Sequence, residues 1–192
     1  MYTLETISAE LIRTAQQRIA GWAVHTPLIP LHVDDAPAQI YLKLENLQPT
    51  GAFKVRGAVN ALRSAAVDQL AQGVWTASAG NMAQAVAWCA RRMGIPCTVV
   101  APDTTPTTKL AATEQLGARI ITVPFLDWLE IYRVRHYDGL NGLFVHAFSD
   151  PAVMAGNGTL ALEILADLPD VDTVITPYGG GGLSCGVAAA FR

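Results

Sequence analysis

The chain has 192 residues, 51% of them hydrophobic and 15% charged, a balance that excludes disorder and allows one substantial core or two small ones. Its formal net charge of -3 excludes a general attraction to phosphate backbones or anionic lipid, so no nucleic acid partner is expected. The first ten residues are polar and acidic where a secretory leader is basic and then apolar, and no apolar run reaches spanning length. A cytoplasmic protein with no membrane partner is the expectation.

Ser8 can cap a first helix whose apolar residues Leu11, Ile12, Ala15 and Ile19 follow helical spacing and stop near Gly21. Ile40 to Leu44 alternates like a strand. Thr50 can cap a helix beginning around Gly51, on which Val55, Ala58, Val59 and Leu62 form one face at i, i+3, i+4 and i+7. The alternation then repeats: strand Val74 to Ala77, helix Met82 to Arg92, strand Cys97 to Ala101, helix Pro106 to Leu116, strand Ile120 to Val123. Phe125 to Asn141 reads as a helix followed by a Gly-punctuated loop, and Phe144 and Val145 as a strand. Asp150 and Pro151 open a further helix as N-cap and N1, with Gly156 to Gly158 interrupting it. Val171 to Thr176 reads as the last strand, and Leu183 to Phe191 as a helix apolar almost all round. Short apolar strands alternating with amphipathic helices imply parallel βαβ units and an α/β fold.

Cys89, Cys97 and Cys185 lack the spacing of a zinc site and read as buried small hydrophobes. His25, His32, His136 and His146 form no ligand pair at helical spacing, so no metal is expected.

Three loops carry the functional signal. Lys54 falls in the first turn of its helix, two residues from Arg56, and both the helix N-terminus and the neighbouring cation disfavour an ammonium. A nucleophilic lysine works as the neutral amine, although a solvated lysine at a helix start is an equal reading of this segment alone. Ser78, Ala79, Gly80 and Asn81 join a strand to a helix, where unpaired N–H groups can receive a carboxylate or phosphate; taken in isolation, ordinary turn chemistry is the better reading of this segment. Gly179, Gly180, Gly181 and Gly182 precede Leu183 without matching G-x-G-x-x-G or a P-loop, and four adjacent glycines point to a phosphate cradle.

Together the runs ENLQPTGAFKVRGA (45–58), SAGNMAQ (78–84), DPAVMAGNGTLALE (150–163) and GGGGL (179–183) resemble the threonine/serine dehydratase and serine racemase family of fold-type II pyridoxal phosphate enzymes. The resemblance implies two open, mainly parallel twisted sheets flanked by helices, as in the tryptophan synthase β chain. It divides the chain into a large cofactor domain (1–54 and 144–192) and a small substrate-closing domain (55–143). It further implies that Lys54 carries pyridoxal 5'-phosphate as a Schiff base and moves the substrate α-proton. Phe53 packs beside the cofactor, Asn81 bonds its ring hydroxyl, and Gly179 to Gly182 with the Leu183 amide hold its phosphate. Ser78, Ala79, Gly80 and Asn81 would bind the substrate carboxylate.

The activity implied is α,β-elimination from L-threonine or L-serine to a 2-oxo acid and ammonia. Ala79 stands where racemases of the family carry a serine that exchanges the second proton, which favours elimination over racemization, while Val55 and the SAGN spelling speak against the β-replacing cysteine synthase branch. Three further positions depart from the family pattern: Ala52 for serine, Asn157 for glutamine, and Met82 for histidine, the last bearing on substrate identity. Family members continue well beyond the glycine loop, so the large domain is expected to be incomplete here or completed by a partner chain. A truncated, non-catalytic module is the alternative reading. Dimers are common among such enzymes, so a homodimer is a further expectation.

Overall fold

Why the hydrophobic pattern folds as it does is visible in the computed structural model, which describes residues 7–192. The leader segment considered above lies partly in residues 1–6, outside the described residues. Helix α1 (Ala9–Ile19) is capped by Ser8, whose Oγ accepts from the Leu11 N–H at 3.2 Å, and it buries Ile12, Ala15 and Ile19. Leu11 falls off that stripe and is exposed. Strand β1 (Leu28–Leu31) pairs antiparallel with β2 (Ile40–Lys43). A short 3-10 turn at Glu45–Leu47 leads towards α2 (Lys54–Ser64).

On α2 the expected face of Val55, Ala58, Val59 and Leu62 is fully buried. A short α3 (Val67–Leu70) leads into β3 (Val74–Ala77), followed by α4 (Asn81–Met93), β4 (Cys97–Pro102), α5 (Thr107–Gln115), β5 (Arg119–Val123), α6 (Phe125–Val134) and β6 (Leu143–Phe144). These strands form a parallel sheet in the order β5-β4-β3-β6. Period-2 alternation sends Val74, Cys97 and Val99 towards α2 and α4, and Trp75, Ala77 and Val100 towards α6. Helices therefore cover both faces, as strands without polar alternation require.

Helix α7 (Pro151–Asp167) starts as expected, with Asp150 accepting from the N–H groups of Ala152 and Val153, but it is not interrupted at Gly156 to Gly158. Those glycines are packing positions: a Cβ on Gly156 would lie 2.5 Å from the Arg56 carbonyl oxygen, and one on Gly158 would lie 2.7 Å from that of Gly186. Their bare backbone lets α2 and α8 (Gly182–Ala190) close on α7.

Val171 to Thr176 is likewise not a strand. The only two sheets among the described residues are the β1–β2 pair and the four-stranded one, so the segment joins no ladder. Ile175 and Tyr178 stand in solvent. Helix α8 is better covered than its composition suggests: α7 and α1 bury Leu183, Val187, Ala189 and Ala190, leaving Ala188 and Phe191 exposed. Cys89 and Cys97 are buried with thiols pushed up to about 12 by desolvation, whereas Cys185 is only half-buried. No helix among the described residues is long and apolar enough to cross a membrane.

Candidate active site

Lys54 is the first residue of α2, and the preceding Phe53 has helical backbone angles with no side-chain cap. Thr50 is thus not the cap that its position suggests; its hydroxyl is buried without a partner. The environment of Lys54 also differs from that expected. Burial alone holds its amine below the ordinary lysine range. Arg56 contributes nothing to that shift, because its guanidinium is fully buried and held by Glu45 (2.7 and 2.8 Å) and Glu163 (2.6 and 2.8 Å). Lys54 Nζ instead donates to the Ala147 carbonyl at 2.6 Å and sits 5.1 Å from the centre of the Phe53 ring.

Phe53 and Lys54 face the four glycines across a groove of about 270 Å³, lined also by Phe148, Pro177, Tyr178, Leu183 and Ser184. Gly181 caps α8 with a φ of 83°, a left-handed conformation that glycine adopts without strain. A Cβ on Gly180 would lie 2.1 Å from the Phe148 ring, and one on Gly182 would lie 2.6 Å from the Phe148 carbonyl oxygen. The N–H groups of residues 179–184 donate to no carbonyl or side chain among the described residues; the first bond of the helix runs from Cys185 to Gly181. A bare loop and helix N-terminus with a run of free N–H groups suits a phosphate, and a desolvated lysine beside it suits an aldehyde. The residues present therefore fit pyridoxal phosphate.

Ser78, Ala79 and Gly80 join β3 to α4, and all three are half-buried; Asn81, the first residue of α4, is exposed. Ser78 Oγ accepts from the Gly80 N–H at 3.3 Å, while the Ser78 N–H donates to the Val100 carbonyl. This loop is not among the residues lining the groove at Lys54. Met82, the second residue of α4, is 2% exposed and packs into the core shared by α2 and α4.

His146 is a residue whose setting sequence reasoning missed. It is buried, with its imidazole held down to about pKa 4 by desolvation and by the positive charges of Arg135 and Lys54. The only available signal was a histidine between a strand and the Asp150 cap. A more open groove of about 390 Å³ lies along residues 30–41, far in chemistry from a lysine or glycine cradle. Among the described residues no three His, Cys, Asp or Glu side chains gather as a metal site would require.

Residues 19–192 match the family model described as pyridoxal-phosphate dependent enzyme. An L-threonine ammonia-lyase of Geobacter sulfurreducens is 46% identical over 185 residues, covering 95% of this chain and 46% of that protein. The chain thus spans about half the length of the curated relatives it matches, 46% and 47% for two L-threonine ammonia-lyases. Among solved structures, maize serine racemase superposes with a TM-score of 0.90 at 35% identity, covering 96% of this chain and 57% of the other. The processed form of threonine deaminase isoform 2 from Solanum lycopersicum does so with a TM-score of 0.87 at 31% identity, covering 100% and 53%.

Proposed function

The chain belongs to the pyridoxal-phosphate dependent enzymes, and from that premise we propose that its protein is a lyase converting L-threonine or L-serine to a 2-oxo acid and ammonia. The observation that carries the proposal is Lys54: a desolvated amine bonded only to a carbonyl, opening onto a run of unpaired backbone N–H groups.

In this reading Lys54 Nζ holds the cofactor covalently, Phe53 flanks it, and Gly179 to Gly182 with the Leu183 N–H receive its phosphate. Asn81 would meet the ring hydroxyl, and Ser78 to Asn81 would bind the substrate carboxylate. When bound, the cofactor supplies the electron sink that makes a substrate α-proton acidic and a β-hydroxyl expellable. When not bonded to the cofactor, Lys54 would be a desolvated amine able to shed its own proton and take one from the substrate α-carbon. Ala79 offers a methyl group where a second proton carrier would have to stand, which leaves Lys54 to act from one side. Closure of a small domain (55–143) on a large one (1–54 and 144–192) would exclude water from the site, and the enzyme would act in the cytoplasm as a homodimer.

The test is direct. The purified protein titrated with pyridoxal 5'-phosphate is expected to develop the visible absorbance of lysine-bound cofactor, and Lys54→Ala to lose it. With L-threonine and L-serine, release of 2-oxo acid is expected; a protein that takes up no cofactor, or racemizes serine without keto acid, refutes the assignment.

A further inference from the structure

Lys54 and the glycine loop meet across a short turn, residues 146–149, that belongs to neither. Ala147 supplies the carbonyl that Lys54 Nζ bonds at 2.6 Å. Phe148, the next residue, packs its ring and carbonyl so closely on Gly180 and Gly182 that neither tolerates a Cβ. One residue thus touches the lysine, and its neighbour supports the phosphate cradle.

The turn has no helix or sheet ladder to hold it. Among the described residues the N–H groups of Phe148 and Ser149 donate to no carbonyl; both donate to His146 Nδ1, at 3.2 and 2.9 Å. An imidazole nitrogen can accept only as the unprotonated atom, so the ring is neutral with its proton on Nε2. The ring itself is immobilised by aromatic neighbours, Tyr132 at 4.4 Å and Phe148 at 4.7 Å between centroids, with Phe144 edge-on at 6.1 Å. From the end of α6, Arg135 donates to the Ser149 carbonyl and hydroxyl, closing the far side of the turn. Desolvation, then Arg135 and Lys54, keep the ring neutral down to about pKa 4.

Resting on the role proposed for Lys54, we infer that His146 is a positioning residue: through Nδ1 it clamps the turn 147–149, and so sets where Lys54 Nζ stands relative to the glycine cradle. It touches neither cofactor nor substrate. Its effect passes through the Ala147 carbonyl and the Phe148 ring.

The experiment compares His146→Leu, which removes the acceptor, with His146→Asn, whose amide oxygen can take both N–H groups. Two lost backbone hydrogen bonds should weaken cofactor binding to the apoprotein by at least about tenfold in the leucine variant, and asparagine should restore it to within about threefold. In the absence of cofactor, the pH midpoint for acylation of Lys54, read by mass spectrometry of its peptide, should rise in His146→Leu as water reaches the amine, and return in His146→Asn. In the unmodified protein, imidazole nitrogen shifts should show Nδ1 unprotonated at neutral pH.

Unchanged cofactor affinity and acylation midpoint in His146→Leu overturn the inference, as does failure of His146→Asn to restore them at equal thermal stability. A proton on Nδ1 overturns it even where the leucine variant does not fold. If no variant binds cofactor, the reading of Lys54 fails, while the acylation midpoint and the tautomer still decide the clamp.

Discussion

Neutralising Glu163 as Glu163→Gln should destabilise the apoprotein by about 3–5 kcal/mol, the cost of breaking a buried ion pair. Glu163 stands between two cations: its Oε1 is 2.6 Å from Arg56 and its Oε2 2.8 Å from Lys43. The Arg56 side chain has no exposure and those of Lys43 and Glu163 only 7% and 8%, so solvent screens little of this charge. With glutamine in place, two buried cations face Glu45, which of the two reaches only Arg56, and Asp167, 3.6 Å from Lys43 at the rim. Native stabilities are of order 5–15 kcal/mol, so the loss is a large share of the total. For a chain of this size a loss of about 3 kcal/mol lowers the melting temperature by roughly 6–12 °C. Urea unfolding with an unchanged m-value is the assay. Removing one surplus cation in Lys43→Met/Glu163→Gln should recover part of the loss. A cost below about 1 kcal/mol, the value of a solvated surface pair, would refute the claim that these charges are desolvated.

Other outcomes follow from the same geometry. The Cβ of Gly186→Ala would sit 2.2 Å from the Met154 carbonyl oxygen, so the helix pair must part; a loss of about 1–3 kcal/mol or more is expected by thermal unfolding, and a neutral result would contradict the close approach of α7 and α8. Asp150→Ala removes the oxygen that receives two N–H groups at the start of α7, and should cost about 1 kcal/mol in urea unfolding, with Asp150→Asn costing less. His146 makes stability depend on pH. Its folded pKa of about 4 lies below the ordinary 6.5, so the unfolded chain binds the extra proton between these values, and stability is complete above pH 6.5 and declines as pH falls towards 4. The amount is roughly 3 kcal/mol, and this part of the acid slope should vanish in His146→Asn while other carboxylates keep theirs. A slope equal in both proteins would count against a neutral, buried imidazole.

The sequence by itself determined what local chemistry can determine. The stripe of Val55, Ala58, Val59 and Leu62, the two-sided apolar strands at 74–77 and 97–101, the Ser8 cap and the Asp150–Pro151 start are written in spacing and capping, and each forms within a few residues of its prediction. Lys54 and the glycine run were legible for the same reason: a helix start and four consecutive glycines are short-range features. The tertiary structure decided whatever depends on partners distant in the chain. Gly156 and Gly158 read as breaks because their packing partners, Arg56 and Gly186, lie on other helices, and a buried contact offsets the entropy that glycine costs. Arg56 read as the cation that perturbs Lys54, yet Glu45 and Glu163 neutralise it, and desolvation acts on the lysine instead. Val171 to Thr176 has strand composition without a strand neighbour, and a segment becomes a strand only by pairing. His146, anonymous in sequence, acquires its place only when Tyr132, Lys54 and the turn at 147–149 converge, because burial and hydrogen bonding are properties of neighbours rather than of the residue.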